Sequence, residues 1–345
     1  MPWATYHEGT GRIGDSNSVS GLRAALIIPT FNAAAHWKEL IVGIQKQSVA
    51  PHQVIVVDSS STDGTAHSAR SSGFVVIEID RGEFNHGATR QLAARHASDV
   101  DVLIYMTQDA IPCDTHSFRN LLAAFSDPAV GAVFGRQLPR REAKPIEAHA
   151  RFFNYPDCSS VRSWNSRLTL GFKSIFFSNS FGAYRCDALA SVGGFSPDVI
   201  FGEDTLVVAR LHRAGWKTAY AADALAMHSH DHSITEDFRR YFDIGVLHAR
   251  ESWLLEQFGG VSGEGKRFVS SELRFLLRHS PHLVPYSFGH TLAKYLGYKL
   301  GRNEASLSAR LKYCFSMNRS YWLRHPAEAH HAGVSYGSVK KKVAP

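Results

Sequence analysis

The chain has 345 residues, 44% hydrophobic and 20% charged, which is the composition of a globular protein with one large or two ordinary domains. Its four cysteines have no CxxC spacing, which argues against a zinc knuckle or a disulfide framework and favours a reducing cytosol. The net charge of +7 suits nucleic acid, anionic lipid or phosphate-rich ligands without selecting one, and no apolar run approaches the roughly 18 residues of a membrane span.

The first half of the chain alternates between strand-like and helix-like segments. Residues 1–22 contain Gly and Ser without periodicity and predict a flexible leader. The segments that follow are strand 24–29, helix 34–47, strand 53–58, helix 65–71, strand 74–79, a loop at 80–87, helix 88–96 and strand 102–106. Strands and helices that alternate with short loops predict right-handed βαβ units, so the fold class is α/β with a Rossmann-like, mostly parallel sheet flanked by helices.

The stretch from Val54 to Gly64 is the most informative of these segments. Four consecutive apolar residues predict a strand buried on both faces, and Asp58 follows them directly. Ligands of open α/β sheets bind at the carboxyl ends of the strands, where a carboxylate can accept hydrogen bonds from a base or a ribose. The alternative is that Asp58 and Asp63 only cap the turn and the next helix. Neither GxGxxG nor a P-loop is present, so neither dinucleotide binding nor P-loop chemistry is predicted.

The second half of the chain has a weaker pattern in its middle. Arginines alternate with aromatic residues across 139–177, which predicts either a long functional loop or short helices on the acceptor side. The remaining predictions are helix 115–125, strand 130–137, a short helix ending at 192, a helix from 203 closed by Gly215, strands 217–220 and 224–227, helix 234–258, a linker at 259–265 and a basic helical tail from 266 to 345.

Acidic and His residues recur at strand ends and at one helix start. They are Asp58, Asp109, the Glu203-Asp204 pair, and His228 with His230. Each alone has a structural explanation, since acids favour a helix N-terminus and a lone His is usually structural. Together they suggest a divalent cation held with diphosphate oxygens by Asp109 and one His, which leaves a second carboxylate free as a general base.

The order and spacing of several motifs resemble glycosyltransferase family 2, whose inverting nucleotide-sugar transferases have the GT-A fold. The motifs are 27–32, 56–63, 85–90, 108–110, 193–195, and 202–204 followed by Arg210 and Gly215. The resemblance runs from Ala25 to Phe258, so it implies a GT-A domain at 23–258 and a basic helical C-terminal region at 259–345. The piece from Glu83 to Arg90 is similar to bacterial rhamnosyltransferases of surface-polysaccharide assembly of the O-antigen type.

The resemblance implies a role for each matching residue. Asp109 holds Mg²⁺ or Mn²⁺, completed by His228 or His230, and Asp204, or in its place Glu203, deprotonates the acceptor hydroxyl. The donor-binding residues are Pro29, Phe31 and Asn32 lining the nucleotide pocket, Asp58 on the base with Asp63 nearby, Arg90 at the nucleotide or diphosphate, and Asn85, His86 and Gln108. One departure concerns the metal, because Gln108-Asp109-Ala110 carries one carboxylate where the family's DxD motif has two, so metal binding depends more on the His and the donor phosphates.

The implied activity is inverting transfer of L-rhamnose from dTDP-L-rhamnose to a glycan or a polyprenyl-diphosphate-linked acceptor in lipopolysaccharide synthesis. A UDP- or GDP-linked donor is the alternative. The implied location is the cytoplasm, at the inner face of the membrane, with the basic tail against anionic lipid through 294–302, 310–324 and Lys340–Lys342. The other interpretation of the tail is a solvated face packed on the catalytic domain.

Three other classes compete with a glycosyltransferase. The basic, aromatic-rich tail suits a nucleic-acid-binding protein, but no RRM, KH or zinc signature occurs, so no nucleic-acid partner is predicted. A non-catalytic GT-A relic is disfavoured because the base, the metal acid and the His residues are all present. A nucleotidyltransferase would carry a first loop rich in Gly and Lys, which this sequence lacks.

Overall fold

A computed structural model of the chain describes residues 21–260 and 262–325, so the predicted leader lies almost wholly outside the described residues, as does Lys340–Lys342. The strands are β1 Ala24–Thr30, β2 Gln53–Asp58, β3 Val75–Glu78, β4 Val102–Met106, β5 Ile111–Pro112, β6 Val130–Leu138, β7 Ser160–Arg162, β8 Phe181–Arg185 and β9 Lys217–Met227. The helices are α1 Ala34–Gln45, α2 Thr65–Ser71, α3 His86–His96, α4 Ser117–Ala123, α5 Pro145–Asn154, α6 Arg167–Leu170, α7 Cys186–Ser191, α8 Glu203–Arg213, α9 Ile234–Arg250, α10 Trp253–Phe258, α11 Ser262–His279, α12 Val284–Arg302, α13 Ala309–Phe315 and α14 Arg319–Arg324.

The strands form a single mixed sheet in the order β3-β2-β1-β4-β8-β6-β9-β5, with β7 paired to β9. β3, β2, β1 and β4 are parallel, β8 runs antiparallel to both β4 and β6, and β9 is parallel to β6. The parallel half therefore places the carboxyl ends of four strands along one edge. The predicted α/β class and GT-A architecture are confirmed.

Both faces of the sheet are covered by helices. Side chains alternate along a strand, so Leu26 and Ile28 of β1 lie in the core under α1 and α4, whereas Ala25 and Ile27 lie in the core under α3 and α8. This double burial explains the unbroken apolar runs of β1, β2 and β4. The sheet is a rigid support for the polar residues that follow each strand.

Several predicted boundaries are wrong for identifiable reasons. The loop 80–87 is shorter than predicted because the Asn85 side chain accepts a hydrogen bond from the Ala88 backbone and starts α3 at His86. The two strands at 217–220 and 224–227 are one strand, since β6 pairs along its whole length with β9 across an irregularity. The helix 234–258 is interrupted at 251–252 between α9 and α10, and the linker is short because α11 begins at Ser262.

The weakly patterned segment 139–177 folds into short elements. It contains α5, β7 and α6 joined by 3₁₀ turns, so the alternative of one long loop is wrong. The guanidinium of Arg162 is buried and donates to the carbonyls of Lys173 and Phe176. The arginines of the segment 139–177 therefore include structural ones, which could not be recognised from their alternation with aromatic residues.

The C-terminal region packs on the rest of the chain mainly through α12 and α9. The contact is close because glycines line it: a Cβ on Gly297 or Gly301 would collide with the backbone carbonyl of Phe238 or Phe242, and one on Gly245 would lie 2.5 Å from the carbonyl of Tyr298. Glycine permits two helical backbones to approach in this way. The tail is thus a fixed part of the fold.

Buried ion pairs complete this contact. Asp237 of α9 lies 2.7 Å from His290 and 3.3 Å from Lys294, and Glu304 lies 2.6 Å from Lys312. Lys294 and Lys312 belong to the segments predicted to touch a membrane, and that prediction is wrong for both because their ammonium groups face inward. Across residues 21–260 and 262–325, no helix combines the length and the apolar character needed to cross a bilayer.

The last helix returns to the N-terminal half of the chain. Arg324 of α14 donates hydrogen bonds to the carbonyls of Gly82 and Phe84, at 3.1 and 2.9 Å. Tyr321 and Trp322 are buried in a small core with Phe242 of α9. The C-terminal region therefore braces the segment that precedes α3.

Candidate functional site

The side-chain amide of Gln108 links the loop that follows β1 to the loop that follows β4. The Gln108 amide oxygen accepts from the Phe31 backbone N–H at 2.7 Å, and its NH₂ donates to the Phe31 carbonyl at 3.0 Å. The Phe31 ring in turn lies 4.1 Å from the Arg81 guanidinium carbon. Gln108 thus fixes the first loop against the loop that carries Asp109. Pro29 lies two residues earlier within β1.

Asp58 is buried at the carboxyl end of β2, as predicted. One carboxylate oxygen accepts from the hydroxyls of Thr30 and Ser61, at 2.9 and 2.6 Å, and the other accepts from the Ser61 N–H at 2.8 Å. A carboxylate oxygen has about two lone-pair sites, so the second oxygen keeps one acceptor position. A purely structural role for Asp58 accounts for these three hydrogen bonds but not for the remaining acceptor position.

Asp63 is occupied by the local backbone. Its carboxylate accepts from the Ala34 N–H at 2.8 Å and from the N–H and hydroxyl of Thr65 at 3.1 and 2.6 Å. Asn32, in a left-handed conformation at φ 46°, accepts from the Thr62 N–H. Both side chains tie the β1 loop to the β2 loop, which supports the capping alternative for Asp63.

A cleft of about 450 Å³ opens beside these loops. Carboxylates dominate its lining, which consists of Asp58, Ser60, Ser61, Glu78, Ile79, Asp80 and Glu83. Such a lining accepts hydrogen bonds from the N–H and O–H groups of a nucleoside and repels phosphate. A diphosphate would therefore extend away from this cleft.

A second group lies at the carboxyl ends of β4 and β9. The Asp109 carboxylate faces Nε2 of His228 at 3.5 Å and Nε2 of His230 at 3.2 Å. Their ligand atoms all lie within 4.8 Å of one another. Burial raises the pKa of Asp109, but hydrogen bonds and the positive charge of the imidazoles in their protonated form lower it by more, so the carboxylate is ionised. The predicted Asp109, His228 and His230 are therefore brought together.

The hydrogen bonds around His228 fix which of its nitrogens is free. Arg151 can only donate, so the atom of Gln137 that it meets at 2.8 Å is the amide oxygen. His228 Nδ1 lies 2.8 Å from the same oxygen and must be its N–H donor. The buried Nε2 then presents a lone pair toward Asp109, with no hydrogen-bond partner among the described residues. This is the tautomer that a metal requires, so the residues fit the implied divalent cation.

Arg90 faces inward rather than toward the cleft. Its guanidinium lies 2.9 Å from the Glu203 carboxylate, and both side chains are buried. Arg90 also donates to the backbone carbonyl of His86. Burial lowers the pKa of the His86 imidazole to about 4. Asn85 caps α3 and donates to the Val199 carbonyl. These contacts favour a structural role for Arg90 over the predicted contact with the nucleotide.

The two acids at the start of α8 have different surroundings. Gly202 precedes them at φ 75°, a left-handed conformation that favours glycine. Glu203 accepts from the Asn179 amide at 3.0 Å in addition to its Arg90 pair, so it has a cationic partner. Asp204 accepts from neutral donors: the backbone N–H groups of Thr205 at 2.7 Å and Asn179 at 3.2 Å, and the Thr205 hydroxyl at 3.4 Å. It has no cationic partner among the described residues.

Burial and the neighbouring charge of Glu203 raise the pKa of Asp204 to about 7. The backbone N–H groups at the start of α8 lower this pKa but do not offset the burial and the repulsion. A base whose pKa lies near the working pH combines a populated basic form with a strong affinity for the proton. Asp204 therefore has the properties of a general base, and Glu203 those of a fixed counter-ion.

The segment Ser178–Asn179 connects the group of Asp109, His228 and His230 to Asp204. The hydroxyl of Ser178 accepts from the Gln137 amide at 2.8 Å, and the next residue, Asn179, donates to Asp204. The path from His228 through Gln137 to this segment thus ends at the carboxylate of Asp204. Gln137 and Asn179 were missed at the sequence level, because nothing in the local pattern around them indicates partners 91 and 25 residues away.

Comparison with known proteins gives this geometry a context. The family profile described as "Glycosyl transferase family 2" matches residues 25–193. The chain is 44% identical to the O-antigen chain rhamnosyltransferase RfbN of Salmonella typhimurium strain LT2, over 87% of this chain and 96% of that protein. It is 45% identical to the O-antigen chain rhamnosyltransferase WbaN of Salmonella anatum, over 86% and 95%.

A solved structure supports the fold independently. The mannosyltransferase PcManGT from Pyrobaculum calidifontis, solved in complex with GDP-Man and Mn²⁺, aligns with a TM-score of 0.54 at 18% identity. The alignment covers 90% of this chain and 88% of that protein, so the similarity extends beyond 258 into the helical C-terminal region.

Proposed function

The chain belongs to glycosyltransferase family 2, and from this premise we propose that it transfers L-rhamnose from dTDP-L-rhamnose to a growing O-antigen glycan, with inversion at the anomeric carbon. The observation that carries the proposal is the identity of 44–45% to two O-antigen chain rhamnosyltransferases over nearly their whole length. The site residues named below, the donor and the metal are parts of the same proposal.

The donor is bound at the edge of the parallel half-sheet. The nucleoside lies in the acidic cleft, where the remaining acceptor position of Asp58 takes an N–H of the base. Gln108 holds the Phe31 loop in place beneath it. The diphosphate extends from the repelling carboxylates of the cleft toward Asp109.

The chemical step is a single in-line displacement. Asp204 accepts the proton of the acceptor hydroxyl as its oxygen attacks the anomeric carbon, and the bond from that carbon to the diphosphate oxygen breaks on the opposite face. Glu203 remains paired with Arg90, and its charge keeps the proton affinity of Asp204 high. Because the nucleophile and the leaving group occupy opposite faces, the sugar inverts.

The leaving diphosphate requires positive charge and no acid. Asp109 and Nε2 of His228, with His230 beside them, would hold Mg²⁺ or Mn²⁺. A bound cation would neutralise the charge that develops on the diphosphate. Arg240, stacked on Phe201 with its guanidinium carbon 4.7 Å from the ring, adds a positive charge near His230.

The acceptor is proposed to be a glycan carried on a polyprenyl diphosphate, which places the enzyme at the inner face of the cytoplasmic membrane. The motivation is that O-antigen chain rhamnosyltransferases are the relatives, and that the chain presents a cationic surface, described below.

The donor is tested with the full chain and a panel of nucleotide sugars. We expect dTDP-L-rhamnose to raise the melting temperature more than UDP- or GDP-sugars, and Mn²⁺ or Mg²⁺ to increase the effect. Binding that protects the protein from unfolding shifts its melting temperature in this way. Asp58→Asn is the matched variant, since it keeps the shape and removes the charged acceptor.

Stabilisation by UDP-sugars alone would contradict the rhamnosyl donor and leave the transferase intact. Transfer of radiolabelled rhamnose with retention of anomeric configuration would contradict the in-line mechanism. Full activity in EDTA would contradict the metal role of Asp109 and His228.

A further inference from the structure

The two faces of α12 have an unusual distribution of side-chain size. Its inward face, against α9, consists of small or polar residues: Ser287, His290, Ala293, Gly297 and Gly301. Its outward face carries Phe288, Leu292, Tyr295 and Leu296, between 45 and 57% exposed. At about 100° per residue these four fall within about 100° of the helix circumference. The large apolar side chains of α12 thus form an outer stripe.

An ordinary surface helix has the opposite arrangement, with its apolar side in the core and its polar side in water. Close packing on α9 does not require the outer stripe, because the contact is made by the glycines on the other side. A contiguous exposed apolar patch of this kind marks a surface that another phase or molecule covers.

From residue 266 to residue 325 the exposed charged residues have one sign. The only acidic residues between 266 and 325 are Glu272 and Glu304, and both are buried. The exposed charged residues of the same segment are Lys266, Arg267, Arg274, Arg278, Lys299, Arg310, Arg319 and Arg324. Lys299 continues the outer stripe by one helical turn. Aromatic and leucine side chains flanked by cations are the composition of helices that lie in the interface of an anionic bilayer.

We propose that the outer stripe of α12, continued by Lys299, is a docking surface for an anionic lipid bilayer, to which the other exposed cations of 266–325, including Arg278 and Arg310, add attraction. α12 lies along the interface with Phe288, Leu292, Tyr295 and Leu296 among the acyl chains and glycerol groups, and the cations contact lipid phosphates. The surface narrows the predicted one, which comprised 294–302 and 310–324: it keeps Lys299 and Arg310 and leaves out Lys294 and Lys312, which pair with Asp237 and Glu304. It deepens the proposed function by naming the surface on which a lipid-linked acceptor is met.

The positive charge of this region favours an anionic bilayer over a second copy of the chain as the partner of the outer stripe. A two-fold dimer through the outer stripe would bring the same cations of both copies together, with no exposed acid of 266–325 to pair with them. An anionic bilayer supplies the missing negative charge and an apolar layer together.

The test is flotation of the full chain with vesicles of phosphatidylethanolamine and phosphatidylglycerol, compared with phosphatidylcholine vesicles. We expect binding to the anionic vesicles that decreases with salt. Changing Phe288, Leu292, Tyr295 and Leu296 together to Ser should weaken it at least about tenfold. Arg278→Gln, Lys299→Gln and Arg310→Gln together should weaken it about a hundredfold.

A matched control changes equally exposed apolar residues elsewhere to Ser: Val42, Val75, Val161 and Leu168. This variant should bind vesicles like the unmodified chain. All variants should keep the melting temperature and the thermal response to donor, which separates failure of docking from failure of the proposed function. Equal binding by the four-Ser variant and the unmodified chain would overturn the proposal, as would a dimer in light scattering that this variant abolishes while no vesicle binding is seen.

Discussion

Charged side chains are used differently at the sheet edge and in the helical tail. At the edge, Asp204, Asp109 and Nε2 of His228 keep capacity to bind something more. In the tail, Asp243 of α9 accepts from the Ser316 hydroxyl, from the backbone N–H groups of Met317 and Asn318, and from the Asn318 amide. Asp243 is fully buried and the Asp109 side chain is 19% exposed, so both lie largely out of water, and it is their hydrogen-bond partners that differ most.

The difference lies in saturation. A buried charged group whose lone pairs and donors are all matched stabilises the fold and has nothing to offer a substrate. One whose lone pairs are not all matched carries a free-energy cost and is a candidate for binding a ligand or taking part in a reaction. Glu203 and Asp204, adjacent in sequence, fall on opposite sides of this division, which makes them the sharpest place to test it.

The largest effect is expected for Asp204→Asn. The change preserves shape and removes the basic lone pair, so turnover should fall about 10²–10⁴-fold. Donor affinity should be unchanged, because the base meets the acceptor. The measurement is turnover and donor binding on the same purified variant, with Asp243→Asn as a buried control that keeps its turnover per folded molecule. Near-normal turnover of Asp204→Asn would assign the base elsewhere.

Glu203→Gln should affect stability before chemistry. It leaves the buried guanidinium of Arg90 without its counter-ion, which typically costs about 3–5 kcal/mol of unfolding free energy. Urea denaturation measures the loss. Adding Arg90→Met to Glu203→Gln should restore part of the stability, since the unpaired charge is then removed. An unaltered denaturation midpoint in the single variant would mean that Arg90 has another partner.

Gln137→Leu tests the orientation of the imidazole. Without the amide oxygen, His228 Nδ1 loses its acceptor and the ring its fixed tautomer, so apparent Mn²⁺ affinity in the presence of nucleotide should fall about 10–100-fold. Mn²⁺ titration followed by electron paramagnetic resonance measures this affinity directly. Gln47→Leu is the control, because this buried amide contacts the carbonyls of Gly43 and Asp114 and the N–H of Phe118 instead of the metal-binding group. Equal Mn²⁺ affinity in Gln137→Leu would remove His228 as a ligand.

The smallest effect concerns pH. Because the pKa of Asp204 is raised to about 7, turnover should decrease about tenfold for each unit below that value and level off above it. The folded pKa lies above the unfolded 3.8, so the same group makes the fold less stable as pH rises from about 4 to about 7. The residual turnover of Asp204→Asn should lack this step, and a step that persists there would belong to another group.

The parallel half of the sheet was predictable because its information is local. β1, β2 and β4 are apolar runs that end in Thr30, Asp58 and Met106, and the polar residues that matter follow at once. Since parallel strands end at one edge, adjacency in sequence becomes adjacency in space. The placement of Asp58 and the grouping of Asp109 with His228 and His230 followed from this rule.

The features that the sequence could not predict depend on contacts between residues that are far apart in the chain. Gln137, Ser178 and Asn179 have no pattern of their own, and their importance comes from partners on other elements. In the tail, composition identified a basic helical region but not which cations face inward. Lys294 and Lys312 look like Lys299 in sequence, and only Asp237 and Glu304 decide their direction.

The hydrogen bonds from Arg324 to the carbonyls of Gly82 and Phe84 have a consequence for the timing of synthesis. They join two positions separated by about 240 residues, and α14 is the last described helix to leave the ribosome. The strands at 24–106 are synthesised early, but the helices α4 and α8 that cover their two faces follow later in the chain. The segment before α3 acquires this brace only when α14 has emerged, so the binding edge is completed well after its strands are made.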